Sequence, residues 1–399
     1  MDGGPLALYG ARLVTPRVEI ARGYVLIEDG AIVGVGEGSP PGGADRVDLG
    51  GLVVAPGFID THVHGIAGRD ASEASAEALA SMSAALARHG VTSFVPTLVT
   101  SPRDVTLRFC DALAEFARSW SPQLGARPLG GHLEGPFISP SRAGAQDVAS
   151  IRPPSVEELR DYLGRCGGLL REITVAPELP GALDVVREAS RAGVAVQLGH
   201  SDATYAQAVA GFAAGATKVT HLYDAMRPFH HREPGLVGAA LLSEGVYAEV
   251  ILDLVHVSPQ AFSLAYRLLG SSRLVLVTDS MAAADMPDGT YRLGRVEVEV
   301  RGGVARIRGT EVLAGSTLTL DRAVRNAASL GVGLREAVAM ATLTPAASIG
   351  AHVAERVGAL APGMRADLVV LDGSLSVVAT MIEGRVAYAS EAAKSLGLA

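Results

Sequence analysis

The chain has 399 residues, 48% of them hydrophobic and 19% charged, and its 34 basic against 42 acidic residues give a formal charge of −8. That length predicts one large domain or two of moderate size, with a core that needs no covalent staples, and the apolar, weakly charged composition excludes intrinsic disorder. The acidic balance argues against a nucleic-acid or anionic-membrane surface. No apolar run reaches the ~18 residues of a membrane span, and the opening MDGGPLALYG lacks the basic-then-apolar order of a signal peptide. Two cysteines, Cys110 and Cys166, make no disulfide framework and fit a reducing compartment, so a soluble cytoplasmic protein is expected.

The first ~50 residues read as short strands, LALYGARLVT and GYVLIEDGAIVGVG, with Asp29-Gly30 as a hairpin signal. A similar texture returns at the end in DLVVLD and VVATMIEGRVAYA, which has a Glu-Gly turn. Either both ends build one small β-domain, expected over 1–53 and 354–399, or each forms its own edge hairpin. Between them, residues 54–353 alternate. Strands are expected at Leu52–His62, Val91–Thr97, Pro128–Glu134, Glu172–Pro177, Val194–His200, Ala216–His221, Val246–Leu252 and Leu274–Asp279. Helical patterns such as EALASMSAALARHG, VEELRDYLGRCG, LDVVREASRAG and SPQAFSLAYRLLG separate them, ending in Gly90, Gly167, Gly193 and Gly270 as helix C-termini prefer. Eight strands each trailed by a helix fit a (β/α)8 barrel; an open doubly wound sheet would usually carry a glycine-rich phosphate loop after its first strand, and none is present. The fold class is therefore α/β, a barrel of the TIM type with a small β-sandwich domain. Residues 285–312 read as a hairpin insertion turning at Gly302-Gly303, followed by helical patterns near 318–331 and 334–350.

The chemistry concentrates at strand ends. His62 and His64 are two apart, so an extended strand projects both from one face toward a single ion; two surface histidines in a loop would give the same pattern. His200, His221, Glu134 and Asp279 each close an expected strand, and in this fold the strand ends converge on one mouth. Imidazole and carboxylate suit one or two divalent ions, zinc first, with iron, manganese or cobalt sharing the preference. Asp279 can carry a proton as general base and then acid, or serve as a further ligand or helix cap. His132, on the face of Glu134, is expected inside the barrel, His89 at a helix end and His352 in solvent. After His221, the stretch Tyr223–Gly235 holds Arg227, His230, His231 and Arg232, a basic island suited to phosphate or carboxylate, unless it is a solvated loop. His256 could join it.

The segments PGFIDTHVHG, HLEGPF, LGHSDA, THLYDAMRPFHHREPG, VTDSMAAADMPDGTYRLG, LAGSTLTLDRAVRN and GMRADLVVLD together resemble the N-acetylglucosamine-6-phosphate deacetylases of the amidohydrolase superfamily. The resemblance implies a metal-dependent barrel, usually homodimeric, that removes acetate from an acetamido sugar phosphate. It implies Glu134, His200 and His221 as shared metal ligands, His62 and His64 as ligands of a second metal, and Asp279 as the catalytic acid/base. For substrate it implies Arg232 and His256, partly across the dimer interface, with Asp224-Ala225 and Leu313-Ala314-Gly315 at the sugar. Three departures stand out. Gly144-Ala145-Gln146 has glutamine where the family usually has a substrate-contacting histidine. Asp224 replaces the usual asparagine, and Asp253-Leu254 the usual Asp-Gly. A related substrate, the galactosamine epimer or an unphosphorylated sugar, is the alternative these departures leave open, with a cyclic-amide hydrolase as a further one.

Overall fold

A computed structural model describes residues 4–398 of the chain. Strands Leu6–Val14, Glu19–Glu28 and Ala31–Glu37 form an antiparallel meander. Asp29 and Gly30 take positive φ, 48° and 76°, as a tight two-residue turn requires. From the other end of the chain, Leu368–Leu371 pairs antiparallel with Val53–Pro56, which runs parallel beside Leu6–Val14. Val377–Ile382 and Arg385–Ala389 extend the same sheet. The register Leu368↔Pro56 through Leu371↔Val53 joins the two ends in one sheet, so the separate hairpins do not occur.

The middle is the expected barrel. Phe58–Val63, Val91–Val99, Gly131–Glu134, Leu170–Val175, Ala195–Leu198, Lys218–Val219, Tyr247–Ile251 and Leu274–Val277 follow one another in parallel. The ring closes where the Asp279 amide donates to the His62 carbonyl at 2.8 Å and the His64 amide to the Ser280 carbonyl at 2.9 Å. Side chains alternate along each strand. Leu133, Ile173, Val175, Val196, Leu198, Val219, Val250, Val275 and Val277 face outward into the apolar layer under the helices. Many inward positions are polar and buried: Asp60, His62, Thr97, His132, Glu134, Glu172, Thr174, Gln197, Lys218, Thr220, Glu249 and Thr278. Barrels of this kind usually fill their axis with branched apolar residues, so this one has traded a dry centre for a hydrogen-bonded one.

The expected helices occur at Ala76–Ala87, Val156–Cys166, Ala182–Arg191 and Pro259–Leu269. Ser75, Ser155 and Ser258 cap three of them by accepting a backbone N–H from the first turn. The pattern expected over 334–350 splits into Leu334–Met340 and Leu343–Ser348, because Pro345 has no N–H to continue the ladder across Ala341. The insertion is a three-stranded sheet, Gly289–Leu293, Val296–Arg301 and Val304–Ile307, with Gly302-Gly303 at its second turn.

The cysteine reading is corrected. Cys110, on the helix Arg103–Ser119, and Cys166, ending Val156–Cys166, form a disulfide across 56 residues of sequence. The two helices pack side by side outside the barrel and both residues are buried, so proximity arises from tertiary packing that residue spacing does not display.

Gly57 sits where the chain passes from the terminal sheet into the first barrel strand. A Cβ there would lie 2.1 Å from Cγ2 of Thr92, itself buried. Gly57→Ala is expected to destabilise the protein by roughly 1–3 kcal/mol through overpacking. Gly164→Ala, at an exposed helical position with nothing within 4 Å, should instead stabilise by about 0.5–1 kcal/mol. Chemical denaturation of both variants checks the contrast.

Candidate active site

Each residue of the cluster reaches the barrel axis because its strand ends there. His62 is the penultimate residue of Phe58–Val63, and Glu134 the last of Gly131–Glu134. His200, His221 and Asp279 follow their strands by two residues and take left-handed φ values of 45°, 26° and 46°. Non-glycine residues seldom adopt that conformation, and it clusters at functional sites. Here it turns the chain off the strand while leaving each side chain over the axis.

The convergence is close. Glu134 Oε1 lies 2.9 Å from Nε2 of both His200 and His221. Its Oε2 lies 3.2 Å from His64 Nε2, so one carboxylate faces both halves of the cluster. Asp279 Oδ1 is 2.9 Å from His64 Nε2 and 3.3 Å from His62 Nε2. The Nε2 atoms of His62 and His64 are 3.3 Å apart, and those of His200 and His221 are 3.2 Å apart. Two sets, His62–His64–Asp279 and Glu134–His200–His221, each bring their donor atoms within 4.8 Å of one another, and all six residues are buried.

The outer ring nitrogens fix what the inner ones can do. His64 Nδ1 bonds the Thr97 carbonyl at 3.0 Å, His200 Nδ1 the Arg142 carbonyl at 2.9 Å, and His62 Nδ1 the Glu249 carboxylate at 2.9 Å. These oxygens only accept, so each neutral imidazole carries its proton on Nδ1 and turns a bare Nε2 lone pair inward. Lone pairs and carboxylates pointed at one another repel unless a cation lies among them. The donor set therefore fits one or two divalent ions, with imidazole and carboxylate as the coordinating groups. Without an ion, protons fill that role. Burial disfavours charge on His64, but its bonds to Asp279 and Glu134 outweigh this and raise it to about 10. His221, likewise opposed by burial, is raised to about 9 by Glu134. Burial alone would push Glu134 and Asp279 up; the imidazoles around them hold both below the usual carboxylate range.

A cavity of about 360 Å³ opens above the cluster. Of the residues expected to touch substrate, Ala145, Gln146, Asp224, Ala225, His256, Leu313 and Gly315 line it, together with His64, Glu134, His200, His221 and Asp279. His62 lies beneath, fully buried. Asp253 sits behind the wall, accepting from His256 Nδ1 at 2.7 Å. Ala314 is buried in the small core of the insertion. Arg232 is not among the lining residues; it is exposed and its guanidinium lies 2.9 Å from His231 Nε2. His256 thus belongs to the cavity and not to the basic island. Gln146 donates to Glu134 Oε2 at 2.5 Å and accepts from the Thr100 amide at 2.6 Å, steadying the shared carboxylate. Burial raises Asp224 to about 6, despite His256 nearby, and its Oδ2 has no partner. His132 is internal as expected, bonded to Thr97 and Thr174, while His89 meets Asp321 and His352 is exposed.

Sequence reading missed Arg142, which lines the cavity while bonded to Asp202, and it missed Glu172 and Glu249 within the axis. For Glu172 and Glu249 the available signal was a carboxylate at an alternate position of a barrel strand; Arg142 lies on the turn Pro140–Arg142, where strand period gives none.

The family profile described as "Amidohydrolase family" matches residues 53–387. The chain belongs to the amidohydrolase family. It is 42% identical, over 86% of its length and 85% of the relative's, to the N-acetylglucosamine-6-phosphate deacetylase of Vibrio furnissii. It is also 42% identical, over 84% of its length and 88% of the relative's, to the N-acetylgalactosamine-6-phosphate deacetylase of Escherichia coli O157:H7. Among solved structures, N-acetyl-D-glucosamine-6-phosphate deacetylase from Mycobacterium smegmatis superposes with a TM-score of 0.90 at 40% identity, covering 96% of this chain and 100% of that one. A variant of that enzyme in complex with N-acetyl-D-glucosamine-6-phosphate gives 0.91 at 39% identity, with the same coverage.

Ion uptake should displace the protons that fill the cluster. Titrating metal-free protein with zinc near neutral pH is expected to release protons, read as a buffer-dependent heat. The sign follows from raised imidazole pKa values: the protonated pairs compete with metal, so apparent affinity should keep rising with pH until His221 and His64 lose their protons near 9 and 10. An affinity flat above pH 7 would contradict it.

Proposed function

We propose that the chain is a metal-dependent deacetylase of N-acetyl amino sugar phosphates, acting chiefly on N-acetylglucosamine-6-phosphate to give glucosamine-6-phosphate and acetate. The observation that carries this reading is Glu134 at 2.9 Å from both His200 and His221 on the floor of a cavity into which Asp279 also opens. Relatives named for the glucosamine and the galactosamine epimer share the same 42% identity, so the epimer is a matter for assay.

In this reading Glu134, His200 and His221 would hold one divalent ion, and His62, His64 and Asp279 a second, with zinc the ion of choice. Bound there, an ion supplies Lewis acidity that acidifies a water and polarises the acetyl carbonyl. Asp279 starts as the anion, which lets it accept the proton of the attacking water and hand it to the amine as the C–N bond breaks. The unpartnered oxygen of Asp224 is an acceptor awaiting a sugar hydroxyl, and His256 offers its ring beside it, anchored by Asp253. Ala145, Ala225, Leu313 and Gly315 shape the pocket around the sugar, with Ala314 packed behind them in the core of the insertion. Gln146 bonds Glu134 instead of carrying a proton.

Phosphate recognition falls to Arg232. Its place outside its own cavity supports a homodimer in which each chain lends this residue to the other's site. The pairing of Leu368–Leu371 with Val53–Pro56 supports residues 1–53 and 354–399 as the β-domain and 54–353 as the catalytic barrel. A cytoplasmic place of action fits a phosphorylated sugar, since a charged ester does not leave water for a bilayer core unaided. A cyclic-amide hydrolase with a carboxylated lysine bridging its metals loses support, because Lys218 is clasped between Glu172 and Glu249.

Acetate release from N-acetylglucosamine, N-acetylgalactosamine and their 6-phosphates, measured alongside metal content, tests the proposal; no release from any of the four would sink it. Arg232→Ala is expected to lower kcat/KM selectively for the phosphorylated sugars, and an equal loss on neutral ones would remove its phosphate role. For Asp279→Asn the expected result is a kcat lower by about 10²–10⁴-fold with the ion at Glu134, His200 and His221 retained. Near-normal turnover would displace Asp279 as proton carrier.

A further inference from the structure

Beneath the cluster lies a buried ionic layer to which the reaction assigns no part. Lys218 is wholly enclosed, its Nζ 3.0 Å from Thr61 Oγ1, 2.8 Å from Glu172 Oε1 and 2.7 Å from Glu249 Oε1. The other oxygen of Glu249 reaches His62 Nδ1 at 2.9 Å and accepts the His221 backbone N–H at 3.3 Å. One side chain therefore separates a buried ammonium from the deepest imidazole of the site.

We propose that Glu249, held in place by Lys218, is the positioning residue that orients His62 with its bare Nε2 toward Asp279 and so makes the His62–His64–Asp279 group able to hold an ion. The inference rests on the metal reading given above. Its basis is geometric. His64 and His200 are oriented by backbone carbonyls, which no side-chain substitution removes, whereas His62 depends on a side-chain carboxylate. That carboxylate accepts only, so it fixes both the ring plane and the nitrogen that carries the proton. A lone carboxylate at this depth would be costly, and Lys218 supplies the counter-charge that keeps it there. Glu172, the other partner of Lys218, has Gln197 Nε2 on the shared oxygen at 2.9 Å and does not touch the cluster. The effect should therefore fall on one metal position and spare the other.

Glu249→Gln tests this directly, because an amide NH2 can donate to Nδ1 and release the opposite tautomer. Equilibrium dialysis with zinc, followed by elemental analysis and chelator competition, should show one ion at each of the two groups in the unaltered chain. In Glu249→Gln one ion is expected to bind with unchanged affinity and the other about 10–100-fold more weakly. Glu172→Gln should keep both. In a His62→Asn background, Glu249→Gln should cause no further loss; a loss of the same size there would overturn the inference by showing general damage to the barrel. Wild-type affinity for both ions in Glu249→Gln, or a single ion in the unaltered chain, would overturn it too while leaving the metal site itself standing. A chain that binds no ion would instead end the underlying reading. Should Glu249→Gln fail to fold, the triple variant Glu249→Gln/Lys218→Met/Glu172→Gln removes every charge of the buried layer, a change folds tolerate better than one orphaned charge. The same selective weakening is expected of it, and retention of both ions would overturn the proposal.

Discussion

The structure turns on negative charge buried at the barrel axis. Glu134, Asp279 and Glu249 are all enclosed, and each is held in its ionised form against the pull of burial. Lys218 is the only lysine or arginine buried among the described residues, and it stands beside Glu249 and Glu172, away from Glu134 and Asp279. Burial pushes Glu172 up to about 7 even with Lys218 at hand, so the layer already holds as much negative charge as one ammonium can balance. The upper pair must then find positive charge elsewhere, and the imidazoles provide it only as proton carriers or as ligands. An unpaired buried carboxylate is costly enough that the fold would not keep two without such an arrangement.

Much of the rest of the barrel serves that arrangement. Polar inward positions link one layer to the next: His132 bonds Thr174, Thr174 bonds Thr220, Thr220 bonds Gln197, and Gln197 bonds Glu172. From Glu172 the chain runs on to Lys218, whose ion pair with Glu249 links it to His62. Each member leans on its neighbours, so the ring orientations are set from below as well as by the strand ends. The left-handed residues add a cost of about 1–3 kcal/mol each. Backbone bonds from Asp279 to His62 at 2.8 Å and from Leu222 to Glu249, also at 2.8 Å, hold them in place. A strand that simply ran on would carry the side chain of His200 or His221 past the axis.

What was legible in the sequence was whatever follows from local period and local turn chemistry. Alternation placed His62, Glu134 and their apolar neighbours on opposite faces, and Asp29-Gly30 declared its hairpin through the positive φ it needs. Strand ends named the cluster because closure of a barrel brings them together regardless of sequence distance. Relations set by packing alone were opaque. The Cys110–Cys166 disulfide depends on two outer helices lying side by side. The clasp of Lys218 by Glu172 and Glu249 joins residues 46 and 31 positions away, which only closure of the ring brings together. Arg232 belongs to the basic stretch after His221, yet nothing in its spacing indicated that it would be exposed and absent from the lining of its own cavity.

Two of the three departures from the family pattern, Gln146 and Asp224, acquire a common logic from this charge balance. Gln146 bonds the carboxylate that both halves of the cluster share, and an amide does so without bringing a proton that could compete for Glu134. Asp224 adds a carboxylate on the cavity wall that burial brings to about 6, with His256 and His221 nearby to favour its charged form. His256 is in turn biased toward its own charged form: burial opposes this, and Asp253 overcomes it. That wall alternates carboxylate and imidazole, which suits hydroxyl groups able to donate and accept.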